Sequence, residues 1–148
     1  MKRFVKTVTM LFAAMALFSC NNDNIPANDY LDVTPNNIAG VWRMESYDNG
    51  TEFGENVYRY IEFKRKDRTF VTYDNTESMG VRKLTGRFDI DTNAAAIIWG
   101  VYDFAGDWEH RYYVRDLTKE RMVWVAVDDE SLVQVYVRAE LPKEFVEE

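Results

Sequence analysis

Few residues in this 148-residue chain have side chains able to do covalent or metal chemistry, and their spacing does not assemble them. The chain holds one cysteine, Cys20, and one histidine, His110. A serine or cysteine nucleophile needs a base within hydrogen-bond reach. His110 sits in the polar stretch Asp107-Trp108-Glu109-His110-Arg111, with no nucleophile elbow or triad spacing around it. One histidine without cysteine partners also makes a poor transition-metal site, so His110 reads as a solvated loop residue. The acidic run Asp128-Asp129-Glu130 lacks the spaced oxygen ligands of a calcium loop and falls where a hairpin turn is expected. A carboxylate pair for glycoside cleavage is defined by separation in three dimensions and leaves no mark in sequence. The expectation is a protein that is not an enzyme, with no cofactor and no metal. What the chain has in quantity is aromatic surface: Tyr58, Tyr60, Phe70, Tyr112, Trp124 and Tyr136 carry rings that could stack on a ligand, with polar tips to hydrogen-bond it. Any one of them could equally be plain core or barrel wall.

The N-terminus accounts for the lone thiol. Lys2, Arg3 and Lys6 form a positive leader, Met10 to Phe18 is an unbroken apolar run, and the small Ser19 precedes Cys20. Positive charge holds the leader on the cytoplasmic side while the apolar run enters the bilayer, and that run is too short for a permanent span. The stretch Leu17-Phe18-Ser19-Cys20 resembles the lipobox of bacterial lipoproteins, although Phe18 is larger than the usual residue there. The resemblance implies a signal peptide over residues 1–19, cleavage before Cys20 and acylation of its thiol with palmitate-type chains. A buried acyl chain contributes about 0.8 kcal/mol per CH₂, so several chains tether a protein almost permanently. Asn21 rather than Asp after the cysteine, by resemblance to Gram-negative lipoproteins, favours the outer membrane, on either of its faces.

Cleavage would remove three cations and no acid, taking the net charge from −7 to −10. Such a surface repels phosphate backbones and argues against nucleic-acid binding. The segment from Cys20 to Asn37 is rich in Asn and Asp, carries Pro26 and Pro35, and reads as a lipidated N-terminus and flexible tether. One domain is expected over 38–141, followed by a tail over 142–148. No proline falls between Asn36 and Leu141, which suits strands that must nearly all donate backbone N–H groups.

Within that domain, runs of Val, Ile, Tyr, Phe and Trp alternate with short polar turns. Eight strands are expected at about 41–47, 57–65, 69–73, 81–91, 95–102, 111–116, 121–127 and 132–139. Between them stand turn residues such as Asn49-Gly50, Lys66-Asp67, Asp91-Thr92-Asn93 and Gly106-Asp107. Eight strands joined by short turns predict an all-β, antiparallel, up-and-down barrel, because closure removes both sheet edges. Side-chain alternation then puts Trp42 and Met44 on one face, with Leu84, Phe88 and Ile90, Ala96 and Ile98, Tyr112 and Val114, and Met122, Trp124 and Ala126 sharing faces of later strands.

Gly40-Val41-Trp42, preceded by Pro35-Asn36-Asn37-Ile38-Ala39, resembles the G-x-W entry of lipocalins. Tyr136-Val137-Arg138 resembles the last-strand pattern whose arginine packs across that tryptophan, and Leu117 to Val123 is similar to the turn and strand of short bacterial lipocalin-like lipoproteins. The resemblance implies a barrel closed at one end by Gly40, Trp42 and Arg138, with a cation–π contact of roughly 0.5–2 kcal/mol. With Leu141 to Glu148 after the last strand and a single cysteine, the expectation is a compact relative without the long C-terminal helix or the disulfide of full-size lipocalins, and with a small cavity.

An eight-stranded barrel is either filled by its own side chains or just wide enough for one small ligand. The leading expectation is a lipid-anchored envelope lipoprotein that binds a small apolar or amphipathic ligand. Met44, Tyr58, Tyr60, Phe70, Phe88, Ile98, Tyr112 and Trp124 are the candidate contacts. The alternative is an accessory lipoprotein whose loops at 48–56, 74–80 and 103–110 hold a protein partner, with Tyr102, Phe104 and Trp108 as exposed anchors.

Overall fold

The computed structural model describes residues 29–77, 79–93 and 95–146. The expected signal peptide, Cys20 and the first part of the tether lie outside the described residues.

Eight long strands form the barrel: β1 (Gly40–Tyr47), β3 (Arg59–Lys64), β4 (Thr69–Asp74), β5 (Arg82–Asp91), β6 (Ile97–Tyr102), β8 (Tyr112–Arg115), β9 (Arg121–Ala126) and β10 (Val133–Arg138). Each lies within two residues of its expected bounds. Two two-residue strands, β2 (Thr51–Glu52) and β7 (Gly106–Asp107), extend hairpins on β1 and β6 and carry too little pattern to be legible in sequence. Every long strand pairs antiparallel with the next, and β10 returns to pair β1, so the sheet closes on itself. The closing seam sets Trp42 opposite Arg138 and Met44 opposite Tyr136, with an irregularity between Met44 and Ser46.

Alternation decides what fills the interior. Trp42, Met44, Ile61, Phe63, Phe70, Phe88, Ile98, Tyr112, Val114, Met122, Trp124, Ala126 and Tyr136 form one buried cluster with Ile38 and Leu117. Edge-on ring pairs lock its lower half, with Phe63 and Phe88 centroids 4.9 Å apart. Such pairs contribute about 0.5–1.5 kcal/mol beyond the area they bury.

Both chain ends depart from expectation. The tether does not run to Asn37: Leu31 donates its N–H to the Leu117 carbonyl at 2.8 Å, and Leu31 and Val33 pack on the core. Thr34 then caps a single helical turn, α1 (Pro35–Ile38), accepting the Asn37 N–H at 3.2 Å, with Pro35 at a first-turn position where no N–H is required. Asn/Asp composition concealed a cap and a turn that only tertiary packing makes worthwhile. At the other end, a short 3₁₀ turn (Lys143–Phe145) brings Phe145 against the outer wall, where it is 9% exposed and stacks on Tyr73 at 5.5 Å. Phe145, Val71 and Tyr73 form a small second cluster outside the barrel, with Tyr58, Tyr60 and Leu141 against it.

Candidate functional site

The two ends of the barrel are built differently. At the end where β1 begins and β10 finishes, the Arg138 guanidinium lies 3.7 Å from the centre of the Trp42 ring. Each of its three nitrogens donates to a backbone carbonyl: Nη1 to Ala39 at 2.7 Å, Nη2 to Asn37 at 3.2 Å and Nε to Lys119 at 3.1 Å. Trp42 is fully buried and donates its indole N–H to the Ile38 carbonyl at 2.8 Å. Gly40 has φ +111°, and a Cβ there would sit 2.8 Å from the Arg138 Nη1, so the position excludes side chains on two counts. These three residues form a floor whose arginine is tied to the backbone on every nitrogen.

At the opposite end the barrel opens on a cavity of about 520 Å³. Its apolar wall is Ile61, Leu84, Leu132, Trp108 and Trp124. The Trp124 ring lies 4.7 Å from Tyr136, 5.2 Å from Tyr112 and 5.5 Å from Trp108, so one aromatic layer spans the barrel. Gly100 makes room for this layer, since a Cβ there would overlap the Trp108 indole. Polar groups enter the same space from Thr72, Tyr102, Tyr112, Gln134 and Tyr136, and charged ones from Arg59 and Arg82. Tyr136 donates its hydroxyl proton to Gln134 Oε1 at 3.0 Å, and Gln134 Nε2 donates to the Tyr112 oxygen at 3.4 Å. Burial pushes the Tyr112 phenol up to about 12, and burial likewise raises Tyr136 and Tyr102. These hydroxyls therefore stay protonated as hydrogen-bond donors through the physiological range.

Arg82 is neutralised within the wall, its Nη1 2.6 Å from Glu77 Oε2 and its Nη2 3.4 Å from Asp74 Oδ1. Asp74, only 2% exposed, also accepts from the Thr76 hydroxyl at 3.1 Å. Around the mouth stand the exposed acids Asp48, Glu77, Asp107 and Glu109. His110 is not the solvated loop residue expected. Its side chain is largely covered, lines the cavity, and holds Nδ1 2.9 Å from Asp128 Oδ1, an arrangement that lowers the Asp128 pKa. Asp129 Oδ1 accepts from the Ser131 N–H and hydroxyl, which makes the acidic run a self-capped turn.

Comparison with known proteins agrees with this architecture. The lipocalin-like domain family matches residues 38–124, more than half of the chain. The chain is a member of the lipocalin-like family. No curated protein and no solved structure matches it.

Within this lipocalin-like barrel, Gly40, Trp42 and Arg138 come together at the floor. The eight expected ligand contacts divide. Tyr112 and Trp124 line the cavity. Met44, Phe70, Phe88 and Ile98 are packed in the core, between 0 and 4% exposed, and do not line it. Tyr58 and Tyr60 are a correction: they lie on the outer wall beside Phe145, with ring centroids 5.3 and 6.1 Å from it. On β3 it is Arg59, Ile61 and Phe63 that face inward, and an aromatic residue on each side of the alternation hid the choice. Tyr102 and Trp108 are not exposed anchors either, since both pack edge-on against Phe70, at 5.3 and 5.1 Å. The expected apolar cavity is instead mixed in character. Its charged members, Arg59 and Arg82, were not among the expected contacts, although Arg82 shares a strand face with Leu84 and Phe88.

Proposed function

We propose that this protein is a lipid-tethered binding protein of the bacterial cell envelope, held in the outer membrane through acylated Cys20, that takes one small amphipathic molecule into its barrel without transforming it. The observation that carries the reading is the cavity of about 520 Å³ at one end of a barrel whose other end is sealed. Pockets that hold small molecules fall in the range of about 300–1,000 Å³ and combine apolar walls with a few placed polar groups. The Trp108–Trp124–Tyr136 layer supports stacking on a ring or chain, and the tyrosine hydroxyls support orientation of a polar end.

Mass spectrometry of the full protein purified from its own host tests both parts. Under denaturing conditions the expected mass is that of a chain starting at Cys20 plus its acyl chains. Under native conditions a further small mass should be present and leave on collisional activation. An unmodified N-terminus would overturn the tether, and a barrel that never carries a small mass would count against the pocket. A second reading, a protein-partner surface at the mouth, draws on Phe104 and Met79, which are fully exposed in neighbouring loops. Co-recovery of a stoichiometric protein with an empty barrel would favour it.

A further inference from the structure

Among the described residues, one cation lining the cavity has no ion-pair partner. Arg59 begins β3 on the inward face, two residues before the buried Ile61, and lines the cavity. Among the described residues it has no carboxylate within ion-pair range. Its one hydrogen bond is a long one, from Nη2 to the Thr76 hydroxyl at 3.5 Å. The contrast with neighbouring Arg82 is direct, since that guanidinium has taken both nearby acids, Asp74 and Glu77. Of the two guanidiniums that line the cavity, Arg82 is thus paired and Arg59 is not, while the lining acids Asp48, Glu77, Asp107 and Glu109 stand at exposed positions around the mouth. Three phenols are within electrostatic reach of Arg59, since its charge opposes the rise in the pKa of Tyr102, Tyr112 and Tyr136; across the strand pair its register partner is Asp74, whose carboxylate faces Arg82. Tyr112 accepts from Gln134, which leaves its own proton to donate.

An unpaired guanidinium beside two unspent phenol protons in a partly desolvated space is a donor set for an anion. Charge-assisted hydrogen bonds to carboxylates are about twice as strong as neutral ones, and arginine can present two parallel N–H groups to one carboxylate. We infer that the ligand is a carboxylic acid with an aromatic or aliphatic body, its carboxylate held by Arg59 and the Tyr102 and Tyr112 hydroxyls, its body against Trp108 and Trp124. This deepens the binding reading above and rests on it. The rim acids Asp48, Glu77, Asp107 and Glu109 are solvated and screened beyond about 8 Å at physiological salt, so they act on the rate of entry more than on affinity. They also select against dianions such as phosphate monoesters, which no second free cation among the lining residues would balance.

The test is titration of the full-length protein in detergent, followed by tryptophan fluorescence and calorimetry. The probes are octanoate and 4-phenylbutyrate, with octanamide and 4-phenylbutanamide as uncharged twins. Each acid should bind about tenfold or more tightly than its amide. Arg59→Gln should abolish that preference by lowering acid affinity to that of the amide, and Tyr112→Phe should lower acid affinity by roughly two- to tenfold. The Tyr112→Phe arm keeps ring packing intact and decides the matter if Arg59→Gln does not fold. Equal affinity for acid and amide, or a preference that survives loss of Arg59, would overturn the inference while the binding role stands. Failure of acids and amides alike would overturn the binding role itself.

Discussion

Two interior arginines, Arg138 at the floor and Arg59 at the mouth, have the same side chain in the same barrel and opposite circumstances. Arg138 lies across a tryptophan, and each of its three nitrogens donates to a backbone carbonyl of the fold. Arg59 has one long contact to a threonine hydroxyl. Burying a guanidinium is costly unless its hydrogen bonds are met, and at the floor they are met by protein, so the cost returns as barrel closure. At the mouth the described residues accept a single long hydrogen bond from Arg59, and a ligand can take the donors that remain. An inward arginine is thus structural or functional according to whether its partners already belong to the chain.

The largest effect should come from breaking the floor. Trp42→Ala removes a fully buried indole and the surface under the guanidinium, and should cost about 3–5 kcal/mol in urea unfolding. Arg138→Met, which keeps the stem but orphans three carbonyls, should cost about 2–4 kcal/mol. Arg59→Gln should stay within about 1 kcal/mol of the parent, because it breaks no ion pair. A loss at Arg59 as large as that at Arg138 would erase the distinction between the two ends.

Alkali sharpens the comparison from the mouth side. Tyr112 titrates near 10 in the unfolded chain and near 12 in the fold, and burial raises Tyr136 as well. Below pH 10 both states hold the proton and stability is unaffected. Between pH 10 and 12 the unfolded chain releases it while the folded chain does not, so stability must fall across that window. The loss attributable to Tyr112 is about 2–3 kcal/mol, at about 1.4 kcal/mol for each unit of displacement. Denaturation at pH 8 and pH 11 should show about half of it, about 1.4 kcal/mol, and Tyr112→Phe should flatten the slope.

How much of this could be read from the sequence follows from what fixes each feature. All eight long strands were legible, because alternation and turn residues are local. The floor was legible because Gly40, Trp42 and Arg138 carry a recognisable pattern. The cavity was legible only in outline: Tyr112 and Trp124 were expected on its wall, but Arg59 and Arg82 were not, since sequence convention sends arginine outward. Period-two alternation from Phe63 back through Ile61 to Arg59 was the available signal. Tyr58 and Tyr60 went astray for a non-local reason, in that their outer face is covered by Phe145, some 85 residues later in the chain.

That outer cover gives the smallest and most specific effect. Val71 and Tyr73 face outward on β4 yet are only 7 and 5% exposed, because Phe145 lies over them. Tyr58 and Tyr60, the neighbours of Arg59 in sequence, lean on the same ring. The wall carrying Arg59 is therefore braced from outside by the C-terminal turn, whereas the floor needs only its own seam. Phe145→Ala should cost about 1–2 kcal/mol, less than a core aromatic because the ring sits at the surface and its loss leaves a groove that water can fill. Hydrogen exchange should quicken along β3 and β4, while the amides of Trp42 and Arg138 stay protected. Equal quickening at both ends would mean that the brace supports the whole barrel, and that the mouth has no mechanical independence from the floor.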